Sequence, residues 1–510
     1  MDASTTVRSN RSRRHLWLGA FVILGAVLRL TALGRESLWF DEAVSYLTAE
    51  LSAGQIANNT VKSSHPPFYY LLMHLWLRFA PHTDAAIRLL GVIFDLLLIP
   101  AIYTLGTLLF RQRRPALVAA LLAAMSPFHI FYSHELRMYT LLTLLSTLIV
   151  LAYLLARQRQ GLHWWGLFGV AALLAIYTHL FAFFLLLGVG LHALLQRQDR
   201  QALHRTLLVG VGLGLLFIPW ILILAAESQY GLGSLRPLAR SAPQSAALLK
   251  PLTTLIFLLF GYATSTWYSV LAMFLTLALA AIILLELRRL RRQQKLRPLL
   301  IPALLVACVV GLPVVVYYAR PFFLPERTMA AASPFLLLSL AWLTTVRRSL
   351  LPVLVALCGA TMLLGTLLYL SADPLKPPYR DAMEYVQEQR QPGDAVLHTS
   401  DGSYLPALRY VDFAQHGLLQ GDPDPRKPRA VYEAFGGEVW SRTQAAQRGD
   451  RLWLIIAREH SVSWQEQQVD YFDERYDLIN TQLFGGIEIR LYELAATAST
   501  PSALEPETPL

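Results

Sequence analysis

Charge is what this sequence has least of. Of its 510 residues only 15% are Asp, Glu, Lys or Arg, while 55% are hydrophobic, with a mean hydropathy of +0.43. A soluble globular chain carries about 25% charged residues. The deficit excludes a soluble domain held by one anchor and points to an integral membrane protein with many spans. Acids are scarcer than bases, 34 against 44, giving a formal charge of +10. That excess is no nucleic-acid signal, because the arginines fall in short connections between apolar runs. Such placement is the positive-inside bias, with attraction to anionic membrane lipids. Cysteine is nearly missing. Cys308 and Cys358 both lie in apolar runs, which argues for small packing residues and against a disulfide framework or thiolate metal site. No internal repeat points to an inverted-repeat transporter.

A membrane span needs about 20 apolar residues. Runs that qualify cover 15–33, 85–110, 115–132, 138–156, 163–178, 180–196, 206–225, 267–287, 298–318, 328–346 and 349–370. Arg8–Arg14 precede the first run, which is long for a signal peptide and lacks a small-x-small cleavage site, so it reads as an uncleaved span. Arginine clusters at 8–14, 111–114, 157–159, 197–205, 288–297 and 347–348 occupy alternate connections. They place the N-terminus inside and the C-terminus outside. The segments 66–80 and 246–262 read as juxtamembrane or re-entrant, because counting 66–80 as a span would put Arg111–Arg114 outside.

The expected fold is thus a polytopic α-helical membrane protein of about eleven spans, with a small α/β domain on the outer side. Residues 1–14 form a basic cytoplasmic N-terminus and 15–370 the membrane domain, with an outer first loop at 34–84. After a linker marked by Asp373-Pro374 and Pro377-Pro378 the composition changes. Residues 379–391 have helical periodicity, strands are expected at 395–398, 452–457 and 487–494, and a helix near 462–474. The outer domain runs over 371–495, and 496–510 is an expected disordered tail.

On this topology the polar clusters share the outer face. Trp39-Phe40-Asp41-Glu42 opens the first outer loop, and Lys62, Ser63, Ser64 and His65 lie later in it. Tyr132–Tyr139 (YSHELRMY) forms the second connection, Tyr177-Thr178-His179 the third, and Arg320–Arg327 (RPFFLPER) a later one. Acids beside a membrane are costly to desolvate and so mark function by default. Asp41 is suited to act as a general base on an acceptor hydroxyl, or as a metal ligand. Arg327, Arg320, Arg137 and Lys62 are suited to a phosphate. Glu42, His65, Glu135 and His179 offer ligands for a divalent cation. Phe68, Tyr69, Tyr70 and Trp76 suit a lipid path, although such aromatics more often form an interfacial belt. Asp95 lies inside a span with Arg88 one helical face earlier, and the two are expected to pair.

WFDEAVSY, SHPPFYYLLMHLW and SPFHIFYSHELRMYTLL together resemble bacterial membrane glycosyltransferases of the GT-C superfamily. Within it the sequence is similar to the dolichyl-phosphate-mannose-protein mannosyltransferase-like group, which includes lipid A aminoarabinose transferases. The resemblance covers about residues 15–346. It implies inverting transfer of a sugar from a polyprenyl-phosphate donor to a lipid, glycan or protein acceptor outside a bacterial inner membrane. It implies Asp41 as catalytic base supported by Glu42, with Arg327 at the lipid phosphate. His65, Tyr69, Glu135, Tyr139 and His179 become substrate-binding candidates, Arg137, Arg320 and Lys62 further phosphate ligands, and Glu42 with His65 a candidate metal pair. One departure matters. Aminoarabinose transferases carry a Lys beside the first-loop proline, where this chain has His65-Pro66-Pro67. Two rival classes keep their place: a transporter of lipid-linked sugars, and a non-catalytic envelope assembly protein.

Overall fold

The computed structural model describes residues 3–62, 65–226, 244–262, 265–293, 296–319, 326–346, 349–423, 429–458 and 462–494. Among these, six helices are long and apolar enough to cross a membrane: Asp84–Phe110, Tyr139–Arg159, Arg200–Ala226, Thr266–Glu286, Arg297–Val316 and Leu351–Ser371. A seventh candidate is a bent pair, Arg113–Met125 and Pro127–Ser133, which meet at 49°. Shorter apolar helices cover Leu16–Leu30, Leu162–Ile176, Ala182–Leu195 and Met329–Leu343. Each of the eleven apolar runs in the sequence falls on one of these helices.

The bend corrects the expectation of one continuous span at 115–132. Proline disfavours the helical conformation in the residue before it. Ser126, which precedes Pro127, is extended (φ −65°, ψ 118°) and caps the next turn by accepting from the His129 N–H. The helices needed below are α1 (Ala3–Leu30), α2 (Phe40–Glu50), α3 (Ala53–Lys62), α4 (Phe68–Leu77), α5 (Asp84–Phe110), α6 (Arg113–Met125), α7 (Pro127–Ser133), α8 (Tyr139–Arg159), α9 (Leu162–Ile176) and α10 (Ala182–Leu195). At ten residues α4 is about 15 Å long, far short of the roughly 30 Å hydrocarbon layer.

The chain divides into two compact units. One is Met1–Arg35 with Ala49–Asp373, the other Glu36–Thr48 with Pro374–Leu510. The second unit therefore includes the start of α2 as well as the C-terminal sheet. That sheet has six strands: β1 (Ala395–His398), β2 (His416–Leu419), β3 (Glu438–Trp440), β4 (Arg451–Ala457), β5 (Asp477–Phe484) and β6 (Ile487–Glu493). Their order is β3-β2-β1-β4-β6-β5, with β1 to β4 parallel and the β5–β6 hairpin antiparallel.

Strand side chains alternate between faces, and β4 uses both. Trp453 and Ile455 pack under helix Tyr379–Gln389 with Met383 and Val386. Leu452, Leu454 and Ile456 pack on the opposite side with Val469 and Phe472 of helix Val462–Asp473. A sheet covered on both faces gives continuous apolar strands rather than alternating ones, as RLWLIIA shows. Strands β2, β3 and β5 were not foreseen. The first two are four and three residues long, too short for a periodic signal, and β5 is exposed along nearly its whole length.

A buried polar cluster lies at the end of β1. His398 Nε2 and His416 Nε2 are 2.8 Å apart, and His398 Nδ1 is 3.0 Å from Ser403 Oγ. Ser403 donates to the Ser400 carbonyl, so His398 Nδ1–H donates to Ser403 and His416 Nε2–H donates to His398. Both rings are held neutral. Burial pushes His398 well below its ordinary value, helped by His416, and pushes His416 to about 3, helped by Arg390.

Candidate active site

The acid pair opens α2. Asp41 and Glu42 occupy its first turn, where a carboxylate interacts favourably with the unpaired N–H groups. Successive helical side chains diverge by about 100°, and the two acids divide accordingly. Glu42 is fully buried, whereas Asp41 keeps part of its surface. Glu42 Oε2 accepts from Lys376 Nζ at 2.9 Å and from the Trp39 N–H at 3.5 Å. Lys376 also lies 3.7 Å from Glu36 Oε2, and Glu36 Oε1 accepts from the Leu375 N–H at 2.8 Å. The backbone on either side of Lys376 is pinned too, since Arg380 N–H donates to Ser37 Oγ at 3.1 Å. Sequence reasoning missed both Glu36 and Lys376. The proline-rich stretch Pro374–Pro378 reads as punctuation, and nothing in the sequence marks its lysine as buried.

The other sequence candidates that can be placed lie in the membrane unit. The turn between α7 and α8 carries Glu135 and Arg137, both buried, and Tyr139 starts α8. Gly91 of α5 permits this turn to approach, since a Cβ there would meet the Ser133 carbonyl at 3.3 Å and that of Glu135 at 3.6 Å. The Arg137 guanidinium stands 5.9 Å from the Tyr139 ring centroid. Tyr139 lies 6.1 Å from His179, and His179 lies 6.4 Å, edge to face, from His65. A backbone bond from the Phe68 N–H to the Tyr177 carbonyl (2.9 Å) ties the start of α4 to the end of α9 and so brings His65 to His179. Tyr69 and Tyr70 are buried against each other with ring centroids 5.7 Å apart, and the Trp76 indole donates to the Ala86 carbonyl.

His179 sits in the connection between α9 and α10. Its Nδ1 accepts from the Phe181 N–H at 3.1 Å, which leaves Nε2 as a donor. Burial, then the charges of Arg137 and Arg327, hold it down to about 3. A neutral N–H donor among two guanidinium charges suits a bound anion. Arg327 lies in the turn Glu326–Ala332, which packs against α8.

Two candidates cannot be placed. The side chain of Lys62, the last residue of α3, and the whole of Arg320 lie outside the described residues. Among the described residues no three His, Cys, Asp or Glu side chains are grouped to hold a metal ion. The Glu42 carboxylate is engaged by the Lys376 ammonium, and the His65 ring lies 6.4 Å from that of His179.

Asp95 does not pair with Arg88. It accepts from Arg29 Nε at 2.6 Å and lies 3.1 Å from His129 Nδ1. Arg29 sends its remaining donors to the carbonyls of Gly25, Ala124 and Ala123. Arg88 donates instead to the Leu33 carbonyl at 3.3 Å.

Residues 64–223 match the family described as dolichyl-phosphate-mannose-protein mannosyltransferase. No curated protein matches the sequence. ArnT from Cupriavidus metallidurans, solved in the apo state and bound to undecaprenyl phosphate, superposes with a TM-score of 0.62 at 13% identity. That match covers 95% of this chain and 99% of ArnT. The oligosaccharyltransferase AglB from Archaeoglobus fulgidus, in complex with an inhibitory peptide and a dolichol-phosphate, gives a TM-score of 0.50 at 13% identity. It covers 94% of this chain and 74% of AglB. The chain therefore shares the fold of ArnT, and its residues 64–223 resemble the dolichyl-phosphate-mannose-protein mannosyltransferases.

Proposed function

We propose that this protein transfers a sugar from a polyprenyl-phosphate donor to an acceptor hydroxyl or amine on the outer face of a bacterial inner membrane. The observation that carries the reading is the run Arg137–Tyr139–His179, a guanidinium 5.9 Å from a ring that itself lies 6.1 Å from an imidazole donor, with the charge of Arg327 also acting on His179. It is supported by the likeness to ArnT, which has been solved with undecaprenyl phosphate.

Each role follows from the chemistry of the residue. Asp41 accepts the proton of the acceptor as its oxygen or nitrogen attacks the anomeric carbon. The bond from that carbon to the phosphate oxygen breaks, and the lipid phosphate leaves with the electron pair. Attack opposite the leaving group inverts the anomeric centre. Arg327 and Arg137 stabilise the charge that develops on the departing phosphate. His65, Tyr139 and His179 line the path of the donor. No step is routed through a metal.

The test uses purified protein in nanodiscs, a panel of polyprenyl-phosphate sugars and a crude envelope acceptor, with release of free polyprenyl phosphate as readout. Release by the wild type identifies the sugar. Movement of labelled lipid-linked sugar between leaflets with no release would replace this reading by the transporter one.

A further inference from the structure

We infer that Lys376 is a positioning residue for the acid pair, acting through Glu42; this rests on the assignment of Asp41 as the base. The observation is the buried chain Glu36–Lys376–Glu42. All three side chains are at most 6% exposed, and the ammonium stands 2.9 Å from one carboxylate and 3.7 Å from the other.

Removing three such groups from water is costly unless they are paired and hydrogen-bonded. Here each carboxylate also takes a backbone N–H, Trp39 for Glu42 and Leu375 for Glu36. The pairing therefore fixes more than charge. It clamps the segment that leads into α2, through Glu36, and the helix's first turn, through Glu42, onto Pro374–Pro378. Proline locks φ near −65°, so Pro374, Pro377 and Pro378 make a stiff support around Lys376. Asp41 is the neighbour of Glu42 on that turn, so its carboxylate is aimed by a bond it does not itself make.

The arrangement also separates the roles of the two acids. With its carboxylate bound to an ammonium, Glu42 is a poor proton acceptor and a good anchor. Asp41, only partly buried, takes the proton-transfer role. A general base displaced by about 1 Å loses on the order of 10²-fold in rate. Lysine in this place thus bears on kcat rather than on donor affinity.

The experiment measures donor turnover for Lys376→Met, Lys376→Arg, Glu42→Gln, the Lys376→Met/Glu42→Gln pair and Asp41→Asn. A melting midpoint is taken for each. Lys376→Met should lower kcat by about 10²-fold with KM for the donor unchanged. Lys376→Arg, which keeps the cation, should restore most of the turnover. On the Glu42→Gln background the same Lys376→Met change should have little further effect, because residues acting as one unit are not additive. The inference is overturned by wild-type kcat in Lys376→Met. It is equally overturned by a loss that Arg does not restore, or that adds in full to Glu42→Gln. If instead Asp41→Asn keeps wild-type turnover, it is the base assignment that fails.

Discussion

Two buried ionic networks, one in each compact unit, differ in their charge ratio. In the membrane unit Arg29 faces one carboxylate, Asp95, and its other donors reach three backbone carbonyls. His129 completes the set by bridging Asp95 (3.1 Å) and Ser333 (3.4 Å). One cation and one anion, closed by backbone groups from α1 and the α6 terminus, make a staple between helices. In the second unit one lysine stands with two glutamates, and a third acid, Asp41, shares the first turn of α2 with Glu42. The first arrangement is what a fold needs to bury charge in a bilayer. The second concentrates acid where acid is scarce in the chain, and that is the pattern expected of proton-transfer chemistry.

The comparison can be broken from either side. Arg29→Met leaves the Asp95 carboxylate buried without its cation, and breaking one half of a buried pair costs about 3–5 kcal/mol. Its melting midpoint should fall sharply, while Arg29→Met combined with Asp95→Leu should recover much of the loss. A single variant as stable as the wild type would show that the network is no staple. Arg327→Ala should leave the melting midpoint nearly unchanged and lower kcat/KM for the donor. Loss of one preorganised charge stabiliser costs about 2.7–4 kcal/mol of transition-state energy, or roughly 10²–10³-fold. An unchanged kcat/KM would remove Arg327 from the phosphate.

The last effect is a pH response confined to the sheet domain. His398 and His416 stay neutral in the fold, with His416 held to about 3. In the unfolded chain both take up a proton near 6.5. Above that value they contribute nothing to the pH dependence. As pH falls from about 6.5 toward 3 the unfolded state binds more protons, and stability declines by about 1.4 kcal/mol per pH unit for each ring. Asp394 acts lower in pH. Burial works against its ionisation, but bonds from Arg451, the Gln391 N–H and Trp453 outweigh this and lower its value, so its contribution is lost only below the ordinary carboxylate range. Thermal melts between pH 7 and 4 followed by sheet-sensitive circular dichroism would read this. A His398→Gln, His416→Gln pair should flatten the upper part of the curve.

What the sequence revealed and what it hid follow from how far apart the partners lie. Apolar runs report on themselves, so each of the eleven found its helix. The break at Ser126-Pro127 was written in the proline but read through. Asp41-Glu42 stood out because acids are rare here. Arg29 and Asp95 are 66 positions apart, and Arg88, two turns from Asp95 on one helix, was the nearer and wrong partner. Lys376 lies 334 positions from Glu42, and no local pattern in either segment points at the other. The histidine pair of the sheet domain depends on parallel pairing of β1 with β2, which sequence periodicity does not encode in four-residue strands.

The most direct test of the central claim sets Asp41→Asn beside the wild type in nanodiscs. Polyprenyl-phosphate release and melting midpoint are measured on the same samples. Removing a general base costs about 10²–10⁴-fold, so the account predicts turnover reduced by that much at an unchanged midpoint. Wild-type turnover in Asp41→Asn would contradict it.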